Sequence, residues 1–337
     1  MDQLDIPATN ILDVRGLTKH FPVGTFLKTR QIHAVEDVSF TLKRGQVVAL
    51  VGESGSGKTT TIRMIARLIP VTRGEIFFEG ANILNTEPHK ASMDYRSKVQ
   101  LIFQDPFASL NVVHTIEHHL ARPLIIHKIA TGRQEIHDRV CDLLETVDIQ
   151  PAAEIAHRYP HQLSGGQRQR VAIARALAVD PKLILADEPI SMLDVSIRMG
   201  ILNLISRLKE ERGISYVYIT HDLASARYIG DQIMVMYAGH VVEGGNSEEI
   251  MGGAVHPYTQ LLLSAVPDPR SGLRTLKGTG THGEVPSLID PPPGCPFAAR
   301  CPKVISICHQ SMPEQTGVTL GHWVRCHLFG SDRKSVV

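Results

Sequence analysis

QVVALVGESGSGKTTTIRMIARLI, residues 46–69, is the stretch of sequence that decides the fold. Its apolar start predicts a buried strand, and the amphipathic pattern over residues 58–69 predicts a helix. Between them, Gly52, Gly55 and Gly57 belong to the pattern G-x-x-x-x-G-K-[ST], which lets backbone N–H groups point at phosphate oxygens while the helix N-terminus adds positive potential. The flanking strand and helix favour a phosphate-binding loop over an ordinary glycine-rich turn.

The side chains of this loop predict a nucleoside triphosphate bound with Mg²⁺. Lys58 would supply charge to the β- and γ-phosphates, and the Thr59 hydroxyl can ligate Mg²⁺. The residues expected around the phosphates are Gly52, Glu53, Ser54, Gly55, Ser56, Gly57, Lys58, Thr59 and Thr60.

A second apolar run, LILADEP at residues 183–189, ends in two adjacent acids. Asp187 can hold Mg²⁺, and Glu188 can polarise the attacking water. Adjacent acids at a strand end are often only solvated loop residues, but together with the phosphate loop they predict a nucleotide hydrolase.

Short strands alternate with helices along the chain, which predicts an α/β fold with a parallel sheet. Residues 11–51 have the pattern of short strands at a sheet edge that leads to a central strand, with a polar loop, PVGTFLKTRQ, at residues 22–31. Residues 88–170 predict a helical insertion. From about residue 267 proline and glycine become dense, which indicates an extended linker into a cysteine-bearing end.

Composition narrows the partners and the compartment. The chain has 337 residues, is 43% hydrophobic and carries a formal net charge of +1. Its overall charge is therefore not the strongly positive one that is typical of proteins that bind nucleic acid. Its apolar runs are far shorter than the roughly 18–20 residues of a membrane span, and its start lacks the pattern of a secretory signal. We expect a cytoplasmic protein without a nucleic-acid partner.

Four further motifs stand in an order typical of one family. LSGGQRQRVAIARAL at residues 163–177 precedes LILADEP, Gln104 lies in LIFQDP, SMLD ends at Asp194, and His221 lies in YITHDL. Over residues 11–250 the chain therefore resembles the ATP-binding-cassette family. The resemblance implies a P-loop NTPase cassette, with a RecA-like core, an antiparallel β edge and a helical subdomain.

The resemblance also implies roles at the nucleotide. Gln104 would contact Mg²⁺ together with Thr59 and Asp187, and His221 would hydrogen-bond the γ-phosphate. The catalytic residues of the implied ATPase are Glu188, His221 and Gln104.

LSGGQRQRVAIARAL, residues 163–177, resembles the signature motif of this family. In the family that motif reaches a nucleotide bound by the opposite subunit, so two cassettes must close over two nucleotides. The residues implied in that contact are Ser164, Gly165, Gly166 and Gln167, joined by Asp194. Phe21 matches the aromatic residue that stacks on adenine, and a phenylalanine of the core is the alternative.

GAVHPYTQLLLSAVPDP, residues 253–269, resembles a segment that follows the cassette in ATPases of oligopeptide and dipeptide importers. Three further stretches resemble the same proteins: FQDPFASLN, HRYPHQLSGGQ and the insertion before AVEDVSF. The insertion favours the second of the two ATPase subunits that such importers use. The resemblance implies a nucleotide-binding domain at residues 1–250, with its helical subdomain at about 88–170, and an extension at residues 251–337.

The implied function is ATP hydrolysis that powers import of peptides, with nickel or an oligosaccharide as alternative cargo. The chain would lie peripherally on the cytoplasmic face of the inner membrane. Its implied partners are two transmembrane permease subunits, a second related ABC ATPase in a heterodimer or alternatively a homodimer, and an extracytoplasmic solute-binding protein.

A soluble cassette ATPase of translation or DNA maintenance is the competing class. Such proteins usually carry two cassettes or long coiled coils, whereas this sequence shows one cassette and no heptad array. An exporter would normally fuse a membrane domain, and the presence of Glu188 and His221 disfavours a subunit that does not hydrolyse ATP.

Four of the five cysteines lie near the end of the chain in the pattern C-x5-C-x6-C-x17-C. In a reducing compartment such a set favours metal ligands over disulfides. Four thiolates fit a [4Fe–4S] cluster or structural Zn²⁺, and the resemblance to importer ATPases favours the cluster; unligated buried thiols are the third option. The ligands would be Cys295, Cys301, Cys308 and Cys326, at a site expected to lie far from the phosphate loop.

Two further features have simpler interpretations. His114 and His118 have the i, i+4 spacing of a helical metal site, but no carboxylate or cysteine set accompanies them, so we interpret them as ordinary helix and loop histidines. Cys141 lies in an amphipathic pattern and is interpreted as a core residue.

Overall fold

The computed structural model describes residues 10–25, 28–265 and 286–329 and shows the expected alternation of strands and helices. The strands are β1 (Asn10–Thr25), β2 (Lys28–Lys43), β3 (Val47–Val51), β4 (Arg73–Phe78), β5 (Ala81–Asn82), β6 (Val99–Ile102), β7 (Leu183–Asp187), β8 (Ser215–Thr220), β9 (Gln232–Tyr237), β10 (His240–Asn246), β11 (Gln315–Thr319) and β12 (His322–Arg325). The helices are α1 (Lys58–Ile65), α2 (Ile83–Thr86), α3 (Met93–Lys98), α4 (Pro106–Ser109), α5 (Ile116–Ile126), α6 (Arg133–Thr146), α7 (Ala152–Ala156), α8 (Gly165–Leu177), α9 (Val195–Arg212), α10 (Leu223–Ile229), α11 (Ser247–Gly253) and α12 (Pro257–Ser264).

The central sheet has the strand order β11-β12-β10-β9-β3-β8-β7-β6. The neighbouring strands β6, β7, β8, β3 and β9 run parallel to one another, and β10, β12 and β11 continue the sheet with antiparallel pairing. Alternate residues of β3 enter two different apolar cores: Val47, Ala49 and Val51 face one, and Val48 and Leu50 face the other. Because parallel strands end at the same edge, the segments that follow β3, β7 and β8 lie together, as in other open α/β sheets that bind ligands.

The first strands form a second sheet, in the order β2-β1-β4-β5, rather than an edge of the central one. This sheet packs with α1 on one face of β3. The loop predicted at residues 22–31 is wrong, because Phe21 pairs with Ile32 and Gly24 pairs with Thr29 as β1 and β2 continue outward. Pro22 is tolerated there because β4 pairs with β1 only as far as Thr18, so the outer hairpin is a two-stranded ribbon.

The insertion predicted at residues 88–170 is largely helical, but it contains a strand of the central sheet. β6 pairs in parallel with β7, and its four residues, VQLI, are too few to be distinguished from a buried helical segment by periodicity. Helices α5 and α6 pack on α8 through side chains such as Leu120, Val140 and Leu144, and α7 packs on α6 and α5. Among the helices of the described residues, none combines the length and apolarity needed to cross a membrane.

Residues 286–329 are joined to the cassette through its central sheet. β12 pairs antiparallel with β10, so the sheet continues across residue 250 into the C-terminal segment. The buried side chains of Glu243 and His322 hydrogen-bond between the two strands at 2.7 Å. At Gly244 a Cβ atom would lie 2.8 Å from the Trp323 ring, so only glycine lets that ring cover β10.

Candidate active site

The phosphate loop connects β3 to α1, and its backbone requires glycine. Gly55 and Gly57 have φ angles of 80° and 102°, in the left-handed region that disfavours a side chain. A Cβ atom at Gly57 would also lie 2.4 Å from the Ala34 carbonyl oxygen, and one at Gly52 would lie 2.1 Å from the Met236 carbonyl oxygen. The loop is therefore held closely against β2 and β9.

Lys58 begins α1 and folds back over the loop. Its Nζ donates hydrogen bonds to the carbonyl oxygens of Gly52 at 2.7 Å and Glu53 at 2.8 Å, and to Ser56 Oγ at 3.3 Å. Burial lowers the pKa of this ammonium group, while nearby carboxylates, that of Glu188 foremost, oppose the shift. The loop thus holds a buried cation beside the backbone that would cradle phosphate.

Thr59 and Asp187 meet although they are 128 residues apart. Thr59 Oγ1 donates to Asp187 Oδ1 at 2.9 Å. Burial raises the pKa of the Asp187 carboxyl, and the hydrogen bond from Thr59 partly offsets that effect. A hydroxyl and a carboxylate side by side are oxygen ligands of the kind that Mg²⁺ prefers, so the donor set fits this ion. The other predicted phosphate contacts lie in the loop or the first turn of α1: Ser54, Ser56 and Thr60.

The carboxylate of Glu188 is held between two of the predicted catalytic residues. Its Oε2 accepts a hydrogen bond from Gln104 Nε2 at 3.1 Å and lies 3.2 Å from His221 Nδ1. The three residues follow β6, β7 and β8, so the sheet edge brings them together. Glu188 has a φ angle of 43°, a strained value that is typical of functional sites, and the His221 side chain is 58% exposed and open to a ligand.

The signature residues begin α8 and contact one another and α9. Ser164 Oγ accepts from the Gln167 N–H at 3.2 Å, and Gln167 Oε1 accepts from the Ser164 N–H at 3.0 Å, which is a capping box. A Cβ atom at Gly166 would lie 2.6 Å from Ile197, so glycine allows α8 to approach α9, which is preceded by Asp194. Within the described part of the chain, no hydrogen bond joins these residues to the phosphate loop.

Phe21 lies on β1 beside the strand that supports the phosphate loop. It pairs with Ile32 of β2, two residues before Ala34, whose carbonyl oxygen crowds the loop. The ring is half-buried and belongs to neither described apolar core, which argues against the core alternative. Lys19 Nζ lies 4.8 Å from its ring centre.

The C-terminal segment contacts the phosphate loop, a feature that sequence reasoning missed. Arg300 donates to both carboxylate oxygens of Glu53, at 2.9 Å and 3.1 Å. The Tyr258 hydroxyl accepts the Glu53 N–H at 3.0 Å, and the buried Phe297 ring packs against Tyr258. Because Arg300 directly precedes Cys301, the expectation that the cysteines lie far from the phosphate loop is wrong.

In the part of the chain that the structure describes, the four C-terminal cysteines form no disulfide; Cys308 and Cys326 are buried, and Cys295 and Cys301 are half-buried. Burial raises the pKa of Cys295 to about 12 and that of Cys326 to about 11, with smaller contributions from the charges of neighbouring thiols. The Cys295 N–H donates to the Cys308 carbonyl at 2.8 Å. In the described residues, no three of the four sulfur atoms lie within 4.8 Å of one another.

The remaining sequence features are compatible with their simpler interpretations. The rings of His114 and His118 stack at 4.0 Å, and in the described residues they belong to no group of three potential metal ligands. Cys141 is half-buried against the larger apolar core.

Comparison with known proteins identifies the family. Residues 35–191 match the family described as ABC transporter, and residues 242–308 match the oligopeptide/dipeptide transporter C-terminal region. The chain is 43% identical over 323 residues, 95% of its length and 97% of the relative's, to the oligopeptide transport ATP-binding protein AppF of Bacillus subtilis. The chain belongs to the ABC transporter family. It is also 43% identical to the dipeptide transport ATP-binding protein DppF of Haemophilus influenzae, over 94% of this chain and 96% of that protein.

Solved structures agree with this assignment. The dimeric, post-hydrolysis ATP-binding cassette MJ0796, bound to ADP and Pi, is 32% identical, with a TM-score of 0.61 over 70% of this chain and 98% of that one. CbiO1 of Clostridium perfringens, part of an ABC transporter complex, is 27% identical, with a TM-score of 0.61 over 73% of this chain and 92% of that one. The expected cassette fold is therefore confirmed, and the protein is an ATPase of the ABC family.

Proposed function

We propose that this ABC ATPase powers the import of peptides. The observation that carries the proposal is the 43% identity, over 95% of the chain, to a protein named for oligopeptide transport. The match of residues 242–308 to the C-terminal region of such transporters supports it further. Nickel or an oligosaccharide is the alternative cargo.

ATP and Mg²⁺ bind at the phosphate loop and at the two acids where β7 ends. Lys58 and the N-terminus of α1 bind phosphate oxygens, and Phe21 stacks on the adenine. Mg²⁺, when bound, supplies positive charge to the phosphates. The residues that would hold it are Thr59, Asp187 and Gln104.

Glu188 is the residue that polarises the attacking water. Its carboxylate oxygen is already oriented by Gln104 and His221, at 3.1 Å and 3.2 Å, and an oriented carboxylate near the γ-phosphate can accept a proton from water. His221 is exposed and turns toward the γ-phosphate when the site closes. Gln104, which follows β6, links this event to the helical region.

A second cassette completes each nucleotide site. Ser164 is exposed at the N-terminus of the 13-residue helix α8, and such a terminus attracts anions. We assign Ser164, Gly165, Gly166 and Gln167 to the nucleotide of the partner cassette, with Asp194 at the junction. The partner is a related ATPase, with a homodimer as the alternative.

The remaining partners follow from the proposed import function. Two permease subunits carry the cargo, an extracytoplasmic solute-binding protein delivers it, and this chain lies peripherally on the cytoplasmic face of the membrane. Residues 1–250 form the nucleotide-binding domain, and residues 251–337 form the extension specific to the importers.

The four C-terminal cysteines are proposed to hold a [4Fe–4S] cluster rather than Zn²⁺. Four thiolates fit either group. The resemblance of this tail to that of importer ATPases is what favours the cluster. Burial of the thiols also disfavours free thiolates, so bound cations would have to compensate their charge.

Metal analysis tests this site. The anaerobically purified chain should contain about four iron and four sulfide per chain and show visible absorption, and both should be lost in Cys301→Ser but kept in Cys141→Ser. Stoichiometric zinc, or no metal at all, would refute the cluster without affecting the import proposal.

Transport in proteoliposomes tests the proposed function. The subunit, its partner ATPase and the permeases should take up labelled dipeptides or longer peptides only with ATP, and Glu188→Gln should abolish uptake while ATP still binds. Glu210→Gln, at an exposed position on α9, is the matched control and should transport normally. ATP-dependent uptake of nickel or an oligosaccharide without peptide uptake would contradict the proposal.

A further inference from the structure

Two histidines and a glutamate converge on the β1–β2 hairpin and are not used by the nucleotide site. One potential ligand atom from each of His20, His33 and Glu36 lies within 4.8 Å of the other two. Glu36 Oε1 lies 2.5 Å from His33 Nδ1 and also contacts His20 Nε2. The two imidazole ring centres are 4.0 Å apart, so three metal-ligating side chains point at one small volume.

The backbone of each of these residues is fixed by a different part of the fold. The His20 N–H donates to Thr72 Oγ1 at 3.0 Å, and the His33 N–H donates to the Leu288 carbonyl at 2.8 Å. The Glu36 N–H donates to a carbonyl of the β9–β10 turn at 2.9 Å. His20 and His33 are also direct partners across the β1–β2 ladder, where opposite side chains share a face. The three side chains are therefore arranged in advance of any ligand.

The surroundings suit an ion that enters from solvent. The side chains of His20, His33 and Glu36 are 13%, 28% and 17% exposed, so they are partly desolvated but reachable. Gln31 Oε1 lies 3.1 Å from His20 Nδ1. A hydrogen bond from Nδ1 to this oxygen leaves Nε2, the nitrogen that faces Glu36, free to bind a metal, as outer partners of metal-bound histidines commonly do.

We propose that His20, His33 and Glu36 bind a divalent transition-metal ion of the zinc type. Two imidazole nitrogens and one carboxylate oxygen are a ligand set that zinc accepts, with water in the fourth position, and imidazole also binds cobalt and nickel. The ion joins the two strands of the hairpin next to Phe21. This site shares no residue with the phosphate loop or the cysteine set, so it is independent of the proposed function.

Titration with Co²⁺ tests the site on the full-length chain after dialysis against a chelator. Nitrogen and oxygen ligands give visible d–d bands, whereas thiolate ligands add intense sulfur-to-metal charge-transfer bands, so the two sites are distinguished by their spectra. The wild type should bind one equivalent with the nitrogen–oxygen spectrum. His33→Asn should lose that equivalent, and Glu36→Gln should weaken it at least tenfold, on the order seen for perturbed metal shells.

The controls separate ligand loss from misfolding. His89→Asn removes an exposed histidine between α2 and α3 and should bind Co²⁺ as the wild type does. Every variant should retain affinity for a fluorescent ATP analogue. Equal Co²⁺ stoichiometry and affinity in the wild type and His33→Asn would overturn the proposal and leave a purely hydrogen-bonded cluster. Bands that disappear in Cys301→Ser rather than in His33→Asn would overturn it as well.

Discussion

Replacing Arg300 with glutamine tests whether the C-terminal segment keeps the phosphate loop in its binding shape. Arg300 contacts both carboxylate oxygens of Glu53. The replacement removes this fork and leaves a negative charge unpaired in the loop that receives phosphates. Both the looser loop and the unpaired charge act against ATP, so affinity should fall.

The size of the effect follows from the exposure of the pair. The Arg300 side chain is 12% exposed and that of Glu53 is 33% exposed. Hydrogen bonds to charged groups contribute roughly 1.5–3 kcal/mol, and solvent screening at the Glu53 side reduces the expected value to about 1–2 kcal/mol. If ~1 kcal/mol of this is lost from the free energy of ATP binding, ATP binds about fivefold more weakly.

The assay is equilibrium titration with a fluorescent ATP analogue, followed by hydrolysis at saturating ATP. Arg300→Gln should raise Kd about fivefold and change kcat little, because Glu188 and His221 do not contact Arg300. Arg325→Gln is the matched control, because Arg325 belongs to the same C-terminal segment as Arg300 and its replacement breaks a different ion pair, the one with Asp37. It should leave Kd unchanged. The double variant Arg300→Gln with Glu53→Gln should recover only the part of the affinity that the unpaired charge removes, and the loss that remains measures the looser loop.

Two results would refute this reasoning. An unchanged Kd in a folded Arg300→Gln chain would show that the contact does not restrain the loop. An equal loss of affinity in Arg325→Gln would show that any disturbance of the C-terminal segment has the same effect, and that the fork to Glu53 has no special role.

Three further substitutions test the loop and its neighbours. Gly57→Ala should lower the free energy of unfolding by roughly 1–3 kcal/mol through backbone strain, and by more because the new Cβ atom would lie 2.4 Å from the Ala34 carbonyl oxygen. Gly45→Ala is the control, because φ is 68° there but nothing lies within 4 Å of the new Cβ atom, and it should lower the free energy less. Equal losses in denaturant unfolding would exclude the steric argument. Asp187→Asn should raise the unfolding midpoint at neutral pH by about 2 °C, the order that ~1 kcal/mol produces in a large domain, and should remove Mg²⁺-dependent stabilisation by ATP. Because burial raises the pKa of the folded-state carboxyl, ionised Asp187 favours unfolding above that pKa, so the advantage of asparagine should disappear as the pH falls through it; an advantage that grows in acid would contradict this cause. Tyr258→Phe removes the acceptor of the Glu53 N–H and should cost about 1 kcal/mol in unfolding free energy, whereas Tyr159→Phe at an exposed site should cost nothing measurable.

The parts of the fold that the sequence predicted well are those with strong local patterns. The buried run before Gly52 and the run that ends at Asp187 have the expected lengths of central strands. Glycines with positive φ and a helix start at Lys58 then follow from the loop pattern alone. The parallel sheet brings the ends of these strands together, which is why the neighbourhood of Glu188 and Thr59 could be expected from motifs far apart in the chain.

The parts that were missed depend on pairing or on contacts distant in sequence. Pro22 and Gly24 usually indicate a loop, and only their partners on β2 make that segment a strand. β6 is too short to have a period. The contact between Arg300 and Glu53 spans 247 residues, and nothing in the local pattern around Arg300 indicates its partner. The HPYT segment contained a signal, since it includes Tyr258, but its role against the loop backbone required the structure.

The pairing of β12 with β10 has a consequence for synthesis of the chain. Glu243 of β10 and His322 of β12 are 79 residues apart, so the outer edge of β10 stays uncovered until the ribosome has synthesised the chain as far as β12. An open strand edge readily pairs with other chains. A growing cassette that already contains every ATP motif therefore still has an open strand edge, and β12 is the strand that covers it.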